Sequence, residues 1–81
     1  MTAKINNPYP ITRYDARHDV LHLFLSEQYD SSAEEEMPGI YVQKKDDTED
    51  IVGFTILDFK ENRPKVEKMY PQYLKYLPQQ V

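Results

Sequence analysis

The sequence predicts an α+β domain, in which a small antiparallel sheet of four to five strands, with two hairpins, carries a kinked C-terminal helix on one face. Three observations predict this class. Short runs of β-branched and aromatic residues alternate with polar turns between residues 11 and 58. Apolar residues then recur at steps of three and four between residues 62 and 77. Pro71 interrupts that second pattern, which predicts a break in the helix.

The 81 residues correspond to a single domain. We expect a flexible arm in residues 1–10, where Pro8 and Pro10 remove backbone donors, and one folded unit in residues 11–81. The unit divides into a sheet (residues 11–58) and a helical segment (residues 62–77). A chain of this length has a thin core, and this one has no cysteine for disulfides. Oligomerisation, most simply a homodimer, is therefore expected to complete the burial.

The first hairpin is predicted from residues 11–14 and residues 20–25, joined by a polar connection at residues 15–19. Leu21, Leu23 and Leu25 share one face of its second strand. The other face carries Val20, His22 and Phe24, so both faces are largely apolar. A strand of this kind needs a covering layer on each face, from a helix or from another subunit.

The second hairpin is predicted from residues 40–44 and residues 51–58, which flank the polar turn at residues 45–50. Residues 51–58 are the most apolar segment and are taken as the central strand. Gly53 lies inside it, which predicts the close approach of a neighbouring backbone or ring, or a bulge. Residues 33–37 are expected to form a short edge strand whose charges discourage pairing between sheets.

The helical segment is expected to start at Asn62 as the N-cap, with Pro64 in its first turn. Pro71 should divide it into two pieces, residues 62–70 and residues 71–77. The apolar stripe that would lie on the sheet consists of Val66, Met69, Tyr70, Tyr73, Leu74 and Leu77.

Four motifs occur in order along the predicted sheet: RYD at residues 13–15, DVLHLFL at residues 19–25, GIYV at residues 39–42 and IVGFTILD at residues 51–58. Together they resemble a family of small prokaryotic proteins that is a domain of unknown function. The resemblance implies a compact antiparallel sheet. Some members lie beside small toxin-like genes, so it also implies an antitoxin-type role.

The net charge of −4 is unevenly distributed. Residues 15–50 hold eleven acids and three bases, whereas residues 58–81 hold three acids and five bases. A nucleic-acid surface would need clustered Lys and Arg, so we expect no direct binding of nucleic acid. The acidic middle suits a small basic protein partner or simple solubility. The sequence contains neither a signal peptide nor a membrane-spanning stretch, so we expect a cytoplasmic protein without membrane contact.

The sequence contains no arrangement typical of an enzyme. It has no cysteine, only two glycines for a phosphate-binding loop, and no Ser/His/Asp set at an interpretable spacing. We therefore expect no catalysis and no cofactor. The alternative is a metal site at the end of the first hairpin, made by Asp15, His18, Asp19 and His22.

The main functional hypothesis is a non-enzymatic protein-interaction module, because the sheet has two apolar faces in a chain too short to cover both. A second alternative is a small-molecule sensor, whose pocket would form between sheet and helix around Gly53 and the tyrosines. The candidate interaction residues are Tyr29, Glu34, Glu35, Glu36, Tyr41, Tyr70 and Tyr73.

Overall fold

The fold is a five-stranded antiparallel sheet followed by two helical pieces. The computed structural model describes residues 8–79, and residues 1–7 of the predicted arm lie outside this range. The strands are β1 (Ile11–Asp15), β2 (Val20–Phe24), β3 (Ser31–Met37), β4 (Ile40–Lys45) and β5 (Ile51–Ile56). An α-helix, α1 (Phe59–Met69), and a 3-10 helix (Pro71–Tyr76) complete the chain. The α+β prediction is confirmed.

The strands lie side by side in the order β1-β2-β5-β4-β3. Both predicted hairpins are present, as β1–β2 and β4–β5. A third hairpin joins β3 to β4 through the turn at Pro38 and Gly39. The predicted central strand occupies the middle of the sheet, between β2 and β4, and the Glu-rich strand β3 lies at an edge as expected.

The hydrophobic core lies between one face of the sheet and the helical pieces. Leu21, Leu23, Val42 and Ile56 are almost fully buried on that face because alternate residues of each strand point the same way. Phe54 contacts the rings of two tyrosines from the helical segment, Tyr70 at 5.0 Å and Tyr73 at 5.2 Å between ring centroids. The remaining core residues are Ile40, Phe59, Val66 and Leu77.

The helix begins earlier than predicted, at Phe59, so the prediction of Asn62 as N-cap is wrong. A residue from the first hairpin supplies the cap: Asp19 accepts hydrogen bonds from the backbone N–H of Phe59 (2.9 Å, to its carbonyl) and of Lys60 (3.2 Å, to its carboxylate). Asn62 is instead buried and donates a 2.7 Å hydrogen bond to the carbonyl of Leu57. Pro64 consequently lies inside the helix rather than in its first turn.

Pro71 ends α1 as predicted, and the chain continues as a 3-10 helix. The tighter winding of that helix moves Leu74 off the predicted apolar stripe. Its side chain is 37% exposed, so its assignment to the buried stripe is wrong, whereas Val66 and Leu77 are buried as predicted.

Candidate functional site: the open face of the sheet

No described helix packs on the face of the sheet opposite the core, and we call it the open face. The strand registers align five of its residues in one row across the whole sheet. Arg13 pairs with His22, His22 with Thr55, Thr55 with Tyr41, and Tyr41 with Glu35. The row begins on edge strand β1 with a cation and ends on edge strand β3 with an anion.

Aromatic and aliphatic side chains surround the middle of this row. The rings of His22 and Phe24 lie nearly parallel, with centroids 6.1 Å apart. His22 Nδ1 lies 3.2 Å from the hydroxyl of Thr55 on the next strand. These residues, together with Val20 and Tyr41, are only partly buried. The open face therefore presents a half-exposed aromatic centre with charged ends.

The segment between β2 and β3 covers one end of the open face. Gln28 lies over Gly53 and donates hydrogen bonds to the carbonyls of Ser26 (2.6 Å) and Val52 (2.8 Å). A Cβ built on Gly53 would lie 2.8 Å from the carbonyl oxygen of Leu23 and 3.1 Å from Gln28 Oε1. The expected close approach of a backbone to Gly53 is confirmed, and a bulge occurs beside it in the β4–β5 pairing.

The three glutamates of β3 alternate between the two faces of the sheet: Glu34 and Glu36 lie on one face, and Glu35 lies on the other. Lys44 Nζ lies 3.2 Å from Glu34 and 3.4 Å from Glu36, so one lysine serves both carboxylates. The two carboxylates raise the pKa of Lys44, Glu34 having the larger effect. Glu35 pairs with Tyr41 on the open face, and its carboxylate accepts a 3.1 Å hydrogen bond from the backbone N–H of Gly39.

The structure thus separates the seven candidate interaction residues. Tyr70 and Tyr73 pack on Phe54 in the core, where burial raises the pKa of Tyr70. Tyr29 is 63% exposed, and Lys45 Nζ lies 3.5 Å from its ring centroid. The charge of Glu27 raises the pKa of Tyr29. Only Glu35 and Tyr41 belong to the open-face row.

The four residues of the proposed metal site do not form one cluster. His18 Nδ1 contacts the carboxylate of Asp15 at 2.8 Å, and this hydrogen bond holds the pKa of Asp15 below its usual value. Asp19 turns away to α1 and to Tyr14, while His22 lies on the open face. Within residues 8–79, no three His, Asp or Glu side chains converge in a way that would hold a metal ion. The hypothesis of a metal site in this hairpin is not supported.

The residues of the predicted small-molecule pocket lie on opposite faces of the sheet. Gly53 lies on the open face, whereas Tyr70 and Tyr73 contact the opposite side of the same strand. A cleft of about 320 Å³ lies elsewhere, at the junction of the β3–β4 turn with α1. Its lining residues are Pro38, Gly39, Leu57, Asp58, Glu61, Asn62 and Lys65.

Sequence reasoning missed Arg13, Phe24 and Thr55 as members of one surface. The predicted face of Phe24 is confirmed, but the row depends on the β2–β5 pairing, which joins segments far apart in the chain. The sequence does contain one sign of this surface. The second face of β2 is largely apolar, which predicts a covering layer on that face.

The fold and this surface define a class: a small α+β domain whose five-stranded antiparallel sheet is covered by helices on one face. The chain belongs to a family of proteins of unknown function (DUF2283), whose model matches residues 11–60. The resemblance inferred from the four motifs is confirmed, and the match covers the whole sheet and the start of α1. No curated protein and no solved structure shows significant similarity to the chain. Within residues 8–79, neither helical piece has the length and apolar character needed to cross a membrane.

Proposed function

We propose that the domain is a non-enzymatic, cytoplasmic protein-interaction module that binds a protein through its open face, in the first place a second copy of itself. The observation that carries the proposal is the half-exposed aromatic centre at His22, Phe24 and Tyr41, on the face of the sheet that the described helices leave uncovered. Sheets that face water normally alternate apolar and polar residues, so an apolar second face favours a protein contact.

The composition of the open face also supports this function. Protein interfaces place aromatic residues at the centre and charged or polar residues at the rim. Here the ring-bearing residues lie on β2 and β4, inside the two edge strands that carry Arg13 and Glu35. Pairing two such faces would add apolar burial to a small domain.

Light scattering coupled to size-exclusion chromatography tests this proposal over a range of concentrations. We expect a mass of twice the 9.6 kDa chain for the wild type. The variant Thr55→Arg places a long charged side chain at the centre of the face and should be monomeric. Thr48→Arg makes the same chemical change in the exposed β4–β5 turn and should remain dimeric. A wild-type chain that stays monomeric up to about 1 mM would exclude a homodimer of useful affinity.

A small basic protein is a second candidate partner, favoured by the exposed run of glutamates on edge strand β3. This candidate corresponds to the antitoxin-type role that the family resemblance implies. Co-expression with the product of a neighbouring small gene tests it, with recovery of a complex as the expected result. Glu34→Lys, at a side chain that is 63% exposed, should weaken the complex, whereas Asp47→Lys in the β4–β5 turn should not. Failure to recover any complex would exclude this partner.

A further inference from the structure

We infer that two copies pack open face to open face across a twofold axis that lies between the two faces, parallel to β5 and above Thr55, so that Arg13 of each copy pairs with Glu35 of the other. This inference rests on the proposed function and specifies its partner, its symmetry and its charged contacts. It follows from the placement of opposite charges at the two ends of the central row.

The central row has a symmetric layout. Thr55 is its middle residue on the middle strand, and Arg13 and Glu35 each lie two strands away on opposite edges. Neighbouring strands are about 4.8 Å apart, so the backbone of each charged residue lies about 10 Å from that of Thr55. A twofold axis that lies above Thr55 and parallel to β5 therefore places each edge of one sheet opposite the other edge of its partner.

Neither terminal charge has an ionic partner among residues 8–79. The guanidinium of Arg13 donates to no acceptor among residues 8–79, and its side chain is exposed. Glu34 and Glu36 share Lys44, but Glu35 has no cation among the described residues and accepts only the N–H of Gly39 through Oε2. Its second carboxylate oxygen remains available to a guanidinium.

Two twofold axes, both lying between the sheets above Thr55, would keep the strands of the two packed sheets aligned: one perpendicular to the strands and one along them. An axis perpendicular to the strands would place Arg13 opposite Arg13 of the partner subunit, and Glu35 opposite Glu35 of the partner subunit. An axis along the strands places each arginine opposite a glutamate, twice in the dimer. Like charges in contact are costly, so the second arrangement is favoured.

The centre of the row is compatible with this arrangement. Thr55 lies opposite Thr55 of the partner subunit, and a side chain of this size permits the sheets to approach. His22 lies opposite the partner's Tyr41, so an imidazole faces a phenol at two symmetric positions. Among the residues that the structure describes, His22 is engaged through Nδ1 alone, by Thr55, which leaves Nε2 available to the partner.

A charge-exchange experiment tests the inference directly. Arg13→Glu and Glu35→Arg each replace two attractive contacts by two repulsive ones, so each variant alone should dimerise at least about tenfold more weakly than the wild type. In an equimolar mixture, one copy of each variant can form a mixed dimer with two attractive contacts. The introduced glutamate faces the introduced arginine, and the native Glu35 faces the native Arg13. The mixture should dimerise within about threefold of the wild-type affinity, and native mass spectrometry should detect mainly the mixed dimer.

Two controls carry the same charge changes on α1, at exposed positions away from the open face: Lys68→Glu and Glu61→Arg. Both should dimerise like the wild type. Thermal unfolding by circular dichroism checks that each variant is folded, and restored affinity in the mixture cannot come from two unfolded proteins.

The outcomes separate the inference from the proposed function. A wild-type dimer whose two variants do not recover affinity on mixing would overturn the geometry and leave the interaction through the open face standing. A dimer whose affinity is lowered by neither charge reversal would also overturn the geometry and leave the interaction through the open face standing. A wild-type chain that is monomeric throughout would overturn both.

Discussion

The hydroxyl of Tyr14 donates a 2.6 Å hydrogen bond to Asp19 Oδ1, and this contact links the first hairpin to the start of the C-terminal helix. The other carboxylate oxygen of Asp19 accepts the backbone N–H of Lys60, and its carbonyl accepts that of Phe59. The ring of Tyr14 lies 5.9 Å from that of Phe59. One aspartate therefore joins two parts of the chain that are forty residues apart.

Replacing Asp19 should destabilise the domain by removing the helix cap. Asp19→Gly keeps access to the left-handed backbone conformation that Asp19 adopts (φ 56°) but removes the carboxylate. Glycine also removes the steric cost of a Cβ in that conformation, so the loss of the carboxylate hydrogen bonds should leave a net loss of less than about 1 kcal/mol of unfolding free energy, measured by urea denaturation. Asp19→Asn retains an acceptor oxygen and should lose less. A gain in stability for Asp19→Gly as large as that for Glu49→Gly, which relieves the same conformation in an exposed turn, would show that the carboxylate does not stabilise the helix.

The same contact raises the pH at which Tyr14 ionises. Its hydrogen bond to Asp19 raises the pKa of Tyr14 to about 12. Because this folded-state pKa lies above the ordinary value of about 10, the bond stabilises the fold fully below pH 10 and is lost as the pH rises towards 12. In an ultraviolet titration of the seven tyrosines, Tyr14→Phe should remove a component that ionises near pH 12. Loss of only a component near pH 10 in Tyr14→Phe would contradict this assignment.

Gly53→Ala should destabilise the sheet through a steric clash. The added Cβ would lie 2.8 Å from the carbonyl oxygen of Leu23, and a backbone atom in a paired strand cannot move aside cheaply. We expect a loss of about 1 to 3 kcal/mol in chemical denaturation. Adding Gln28→Ala removes the side-chain contact but not the carbonyl, so the double variant should remain destabilised relative to Gln28→Ala alone. Full recovery in the double variant would identify Gln28 as the obstacle instead.

Glu49→Gly should stabilise the domain. Glu49 adopts a left-handed conformation (φ 64°) in the exposed β4–β5 turn, which costs a residue with a Cβ about 1 kcal/mol. Glycine adopts that conformation without steric cost, so the midpoint of thermal unfolding should rise. Asp47→Gly changes the same turn at a residue without a positive φ, and it should leave stability unchanged or lower it. A rise with Asp47→Gly that matched Glu49→Gly would contradict the assignment of strain to Glu49.

Sequence alone predicted the strands because their side chains alternate over short, local segments, as at Leu21 and Leu23 in β2. It also predicted the break at Pro71, since proline acts on its own neighbourhood. It missed the start of α1 because the local N-cap residue, Asp58, makes no side-chain cap hydrogen bond, and Asp19 reaches the helix only after the hairpin has docked. The open-face row could not be predicted from short segments of the sequence for a similar reason. Its ends, Arg13 and Glu35, become aligned only through four separate strand registers.

The strand order has a consequence for how the chain folds. Residues 11–24 form one hairpin and residues 31–56 form a meander of three strands, and each can pair locally. The two units join only where β2 meets β5, as at Leu21 and Ile56, which are thirty-five residues apart. Closing a contact across that separation costs more chain entropy than forming either unit. We therefore expect docking of the hairpin on the meander to set the folding rate, and the cap that Asp19 places on α1 to form only after it.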